Sequence, residues 1–117
     1  MVSRSEVLEN CRMIARATDL PVNADLENCY ADEPEAAAGM IRLAAEAGVV
    51  GGSIEDATGD KDRPLYDMAQ ATERVAAAAQ AAGEARTALT DETLRQFTEL
   101  DFDDQGSPEV QSRGRRS

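Results

Sequence analysis

Two short apolar runs, each ending in acidic residues and separated by a helix-forming stretch, constrain this chain more than any other feature. The first is Pro21-Val22-Asn23-Ala24-Asp25-Leu26-Glu27-Asn28-Cys29-Tyr30, and the second is Val49-Val50-Gly51-Gly52-Ser53-Ile54-Glu55-Asp56. Strand-like runs on either side of a helical stretch read as one β-α-β unit, with its carboxylates at the carboxyl ends of parallel strands. Those ends are where α/β proteins place their chemistry.

The first run alternates. Residues two apart share a strand face, so Asn23, Asp25 and Glu27 point one way and Val22, Ala24 and Leu26 point toward covering helices. Two carboxylates about 7 Å apart along a strand repel each other unless a cation or a proton lies between them. Glu55, at the end of the next strand, can join them. An all-oxygen set of this kind suits a hard cation such as Mg2+, which keeps several waters and leaves positions for a substrate's oxygens. The plainer alternative is that solvated acids close two strands of an acidic protein.

The same two runs also carry a family resemblance. Pro21 to Ala31 is similar to the P-V-x-A-D-x-[DE]-x-G-Y-G segment of the isocitrate lyase and phosphoenolpyruvate mutase superfamily. Ala47 to Asp56 is similar to its A-G-[AV]-x-G-x-x-[IL]-E-D segment, one β-α unit later. The resemblance covers roughly residues 4 to 82 and implies a (β/α)8 barrel acting on small 2-oxo acids, making or breaking C–C or C–P bonds through an enolate. It implies Mg2+ as cofactor, with Asp25 as the direct ligand and Glu27 and Glu55 holding the ion largely through water. Asp56 would support that site, and Asn23, Asn28 and Asp56 are the substrate-binding candidates. No acid or base is assigned. Cys29 and Ala31 stand where the family prefers glycine, so a side chain there would either crowd the loop or need a backbone angle that only glycine takes easily. After Asp56 the chain reads Ala57-Thr58-Gly59-Asp60-Lys61-Asp62, without the Lys, Cys, Gly, His series of the lyase members. That places it nearer the phosphonomutase-like branch.

A complete barrel of this type needs about 200 residues or more, and the chain has 117. The expected fold is therefore a partial TIM-barrel piece, α/β, with about two parallel strands and flanking helices over residues 1–83. Truncation, frameshift or a split gene would produce such a fragment. A segment over 84–100 with a short helix that Thr90-Asp91-Glu92 would cap and that would run through Leu94, Phe97 and Leu100, and a disordered polar tail over 101–117, complete the expected organisation.

Local signals place the helices. Ser3-Arg4-Ser5-Glu6 has capping-box form and leads into Val7, Leu8, Cys11, Ile14 and Ala15 at helical spacing, predicting a helix from about Ser5 to Ala17. Pro34 suits a helix's first turn, Ala37, Met40, Ile41 and Ala44 would form its buried face, and Gly48 would end it. Thr58 to Arg63 reads as a polar loop. Pro64 is expected to start a further helix, with Leu65, Met68, Ala69, Thr72, Val75, Ala76 and Ala79 as its apolar stripe and Gly83 near its end. Gly51-Gly52 lacks the spacing of a phosphate loop and reads as a close backbone approach or a bend inside a strand.

Composition limits the partners. The net charge is -11, from 23 acidic and 12 basic residues, so neither nucleic acid nor an anionic membrane is an expected partner. The chain has no histidine, which leaves Cys29 without the usual partner of a nucleophilic thiol. Cys11 lies on an apolar helical face and reads as core. With no signal peptide and no long apolar run, the expectation is a cytoplasmic protein. Three readings result. One is a Mg2+-dependent enzyme acting on a small 2-oxo acid. The others are an inactive truncated fragment, or a module that forms a homo-oligomer or docks through its exposed helical stripe.

Overall fold

The computed structural model describes residues 2–103, and the side chains of residues 2–88. The element order is α1 (Arg4–Ala17), β1 (Asn23–Ala24), α2 (Pro34–Glu46), β2 (Gly51–Gly52) and α3 (Met68–Asp103). The chain divides into two compact units, Met1–Ala85 and Arg86–Ser117. The first unit holds α1, both strands, α2 and the start of α3. Of the second unit, the described residues belong to α3.

α1 begins on the expected capping box. Ser3 Oγ accepts from the Glu6 backbone N–H at 3.2 Å, and Glu6 Oε2 accepts from the Ser3 N–H at 2.7 Å. The Ser3 backbone N–H, followed by the Ser3 hydroxyl, favours the ionised carboxylate and holds the Glu6 carboxyl below its ordinary value. Leu8 and Cys11 are the buried residues of α1, one helical turn apart, and they pack against α2.

β1 and β2 pair in parallel, with Asn23 opposite Gly51 and Ala24 opposite Gly52. Backbone bonds from Val50 N–H to Val22 O (2.9 Å), Ser53 N–H to Ala24 O (3.2 Å) and Glu55 N–H to Glu27 O (2.7 Å) carry the alignment past both strands. The glycine pair makes this approach feasible. A Cβ on Gly51 would lie 2.5 Å from Asn23 Oδ1, and one on Gly52 would lie 3.0 Å from Leu26 Cδ1.

α2 starts with Pro34 in its first turn and buries Ala37, Ala38, Met40 and Ala44. Ile41, expected in that face, is only half-buried. Gly48 follows the helix at φ +104°, and a Cβ there would also sit 3.1 Å from the Ala15 Cβ of α1. Ala24, Leu26, Cys29 and Val49 join these helical residues in one core. It is built mainly of small side chains, so each residue buries modest area.

The stretch leading to α3 departs from expectation. Pro64 does not start a helix. Residues 57–65 fold back on themselves, with Ala57 and Leu65 forming an antiparallel bridge. Thr58 N–H donates to Pro64 O and Tyr66 N–H to Asp56 O, both at 3.0 Å. The helix begins instead where Asp67 can cap it, its Oδ1 accepting from the Gln70 N–H at 2.8 Å. Its buried face is also different. Ala71, Arg74, Ala78 and Ala81 turn inward, whereas Leu65, Met68, Ala69, Thr72, Val75, Ala76 and Ala79 are exposed. The docked face is the narrow one, because alanines let the helix approach closely and leave room for one long side chain. Nor does the helix stop at Gly83, since α3 runs to Asp103. Residues 101–103 of the expected tail are thus helical, and 104–117 lie outside the described residues.

Candidate functional site

The alternation of the first run holds. Ala24 and Leu26 are buried and Val22 half-buried, while Asn23, Asp25 and Glu27 are exposed. After Leu26 the chain leaves the strand in a tight turn, with left-handed φ values of 51° at Glu27, 59° at Cys29 and 55° at Tyr30. Cys29 N–H closes it by donating to Leu26 O at 2.7 Å. Two side chains stabilise it locally: Asp25 Oδ1 accepts from Glu27 N–H at 3.1 Å, and Asn28 Oδ1 accepts from Tyr30 N–H at 3.0 Å. Of the two alternatives at the glycine positions, Cys29 takes the glycine-like backbone, and Ala31 does not need one.

Asp25 Oδ1 also accepts from Ser53 Oγ, at 3.2 Å. Both bonds fall on one carboxylate oxygen, which leaves Oδ2 for another partner. Glu55 is brought alongside through its backbone bond to Glu27, and Asp56 through its carbonyl bond from Tyr66. The carboxylates of Asp25, Glu27, Glu55 and Asp56 are all exposed, and none has an ion-pair partner among the described residues. Also among the described residues, no three His, Cys, Asp or Glu side chains converge closely enough to enclose a metal ion. The donor set still fits a largely hydrated Mg2+. It is all oxygen, it is open to solvent, and only one carboxylate need bind directly. Burial, then the neighbouring Glu27 carboxylate, pushes the Tyr30 hydroxyl above its ordinary value.

Residues that sequence reasoning missed hold the turn from behind. Arg74 of α3 is fully buried. Its Nη1 donates to the carbonyl oxygens of Ala31 and of Asp32 (2.7 Å), and its Nη2 to that of Asn28 (2.6 Å). The guanidinium lies over the Tyr66 ring, 4.0 Å from its centroid. The Tyr66 hydroxyl donates to Asp32 Oδ1 at 2.7 Å and accepts from Asn28 Nδ2 at 3.2 Å. Asn28 thus has both ends of its amide engaged within the fold. Cys29 is wholly enclosed, and burial pushes its thiol up, against the smaller opposing pull of Arg74 and Arg4. A cleft of about 380 Å³ opens beside this cluster, lined by Asp32, Glu33, Asp60, Arg63 and Tyr66 among others. Asp25, Glu27 and Glu55 take no part in its walls.

The sequence profile of phosphoenolpyruvate phosphomutase matches residues 1–109. The chain belongs to the phosphoenolpyruvate phosphomutase family. It is similar to the crystal structure of a candidate lyase/mutase from Burkholderia cenocepacia, with 51% identity and a TM-score of 0.68 over 69% of this chain and 29% of that one. A candidate phosphonomutase from the same organism shares 40% identity with a TM-score of 0.68, over 73% of this chain and 35% of that one. No curated protein matches the chain. As a phosphoenolpyruvate phosphomutase family member, the chain has the α/β class, parallel strand pair and flanking helices expected from its motifs, and it spans about a third of either structure.

Proposed function

We propose that this chain carries the magnesium-binding part of a lyase or phosphonomutase acting on a small 2-oxo acid. The observation that carries the reading is the set of exposed carboxylates that follow the carboxyl ends of two adjacent parallel strands, without ion-pair partners among the described residues, with Asp25 oriented by Ser53 and by the Glu27 N–H. Asp25 would hold the ion directly, and Glu27 and Glu55 through water. When bound, Mg2+ supplies Lewis-acid stabilisation of the negative charge that develops on a 2-oxo acid oxygen during bond cleavage. The chain's own residues orient the ligands: Ser53 fixes the rotamer of Asp25, and the turn at 27–30 sets where Glu27 projects. Asn23 and Asp56, exposed beside them, are the candidates to touch substrate, with Asn28 contributing through the turn. A cytoplasmic location and the lack of a nucleic-acid partner are part of the same proposal, the latter supported by the net charge of -11. Among the described residues, no helix is long and apolar enough to cross a membrane.

The test is pyruvate release from oxaloacetate at fixed Mg2+, corrected for the rate without protein. The expected outcome is a Mg2+-dependent rate that EDTA abolishes and that falls at least 100-fold in Asp25→Ala. Equal rates for the two proteins would overturn the reading. A second reading, association through the exposed face of α3, is favoured by Met68 and Val75, which are 83% and 47% exposed. A concentration-dependent mass in solution would support it.

A further inference from the structure

The buried guanidinium of Arg74 is a poor way to fill a core. It is fully enclosed, it has no carboxylate partner among the described residues, and its Nε has no hydrogen-bond partner there either. A leucine or methionine would occupy similar space without desolvating a charge. The side chain's contribution must therefore lie in what its donors hold. Every one of its hydrogen bonds ends on the main chain of residues 28–32, the segment that follows the candidate metal ligands. Gln70, one helical turn earlier, adds a bond from Nε2 to Asp32 O at 3.3 Å.

That segment needs an external brace. Three non-glycine residues in left-handed conformations, Glu27, Cys29 and Tyr30, do not hold such a turn by intrinsic preference. The carbonyl of Glu27 is fixed by the Glu55 N–H, and the next carbonyl, that of Asn28, is fixed by Arg74. Glu27 is thus set between two anchors from different elements, beside Asp25. Tyr66 supplies a second hold: its ring supports the guanidinium, and its hydroxyl ties Asp32 to Asn28. Because Arg74 is wholly enclosed, it reaches neither solvent nor substrate. Its influence on the site passes through the turn.

We propose that Arg74, stacked on Tyr66, is a positioning residue that fixes the turn at 27–32 and so tunes metal affinity at Asp25 and Glu27. The inference rests on the metal-binding reading above. Lysine cannot replace arginine here, since one ammonium on a flexible stem can neither serve carbonyls on three residues in a planar fork nor stack on the ring.

The experiment is Mn2+ binding to the full chain, followed by water-proton relaxation. It is run at a temperature where circular dichroism shows each variant fully folded, so that lost stability alone cannot shift the dissociation constant. Wild type is compared with Arg74→Lys, Arg74→Met and Tyr66→Phe. Arg42→Met is the control, because the Arg42 side chain is 40% exposed and, among the described residues, pairs with Glu35 and Glu84, away from the turn. Loss of a group that orients metal ligands typically weakens binding about 10- to 100-fold. We expect at least about 10-fold for the Arg74 variants, a smaller loss for Tyr66→Phe, and none for Arg42→Met. A folded Arg74→Lys that binds Mn2+ as wild type does overturns the inference and leaves the metal reading standing. Should neither Arg74 variant fold, Tyr66→Phe decides, and an unchanged constant there overturns it. A wild-type chain that binds no Mn2+ overturns both.

Discussion

Cys29 shows two opposing effects at a single position. Its left-handed backbone, φ 59°, disfavours any side chain by roughly 1–2 kcal/mol relative to glycine. Its fully buried thiol returns about 1–2 kcal/mol of packing. The two nearly cancel, which explains how the chain keeps a cysteine where the family prefers glycine. Cys29→Gly should therefore stay within about 1 kcal/mol of wild type in urea unfolding. Cys29→Ala keeps the strained Cβ but loses the sulfur, and should cost about 1–2 kcal/mol. If alanine proved the more stable of the two, the backbone term would be the smaller one. The alternation of Asp25 and Glu27 against Ala24 and Leu26 was legible at this scale because strand period 2 is a local property. Arg74 was not, since its acceptors lie more than forty residues away and an arginine inside a helical run reads as solvated.

Elements whose boundaries depend on neighbours in sequence are where sequence reading did best. The Ser3 capping box and Gly48 after α2 satisfy backbone groups within a few residues, and Pro34 removes a donor that the first turn would leave unpaired, so each can be read directly. The docked face of α3 depends instead on what lies across from it. The larger apolar residues Met68 and Val75 form a convincing stripe, yet the helix buries the line of Ala71, Arg74, Ala78 and Ala81. A paired substitution tests this assignment. Ala78→Asp should destabilise the chain by several kcal/mol through an unpaired buried carboxylate. Ala79→Asp, on the exposed side, should cost under about 1 kcal/mol. The same helix hosts both changes, so aspartate's helix propensity largely cancels from the comparison of their urea midpoints. Similar losses at both positions would contradict the packing of α3.

Across the whole molecule, acidic charge outweighs basic by 11, and the ion pairs Arg12–Glu9, Arg42–Glu35 and Arg42–Glu84 are solvent-exposed. Exposed pairs contribute little, typically under about 1 kcal/mol each, so self-repulsion should dominate the response to salt. Raising NaCl from about 0.05 to about 0.5 M at pH 7 should therefore raise Tm by a few degrees. A falling Tm would mean that the pairs matter more than the repulsion. MgCl2 at matched ionic strength should add a further increment in wild type that is absent from Asp25→Ala, which separates site binding from screening.

The clamp of Arg74 on the turn also bears on how freely this region can drift. Its acceptors are main-chain carbonyls, which every amino acid supplies, so side chains along residues 28–32 can be exchanged without removing a single one of these bonds. Length is another matter. One residue inserted or deleted between Leu26 and Pro34 would carry the carbonyls out of register with a fork fixed on a helix. Substitutions such as Cys29 and Ala31 are therefore changes the architecture absorbs, whereas its spacing is held nearly rigid.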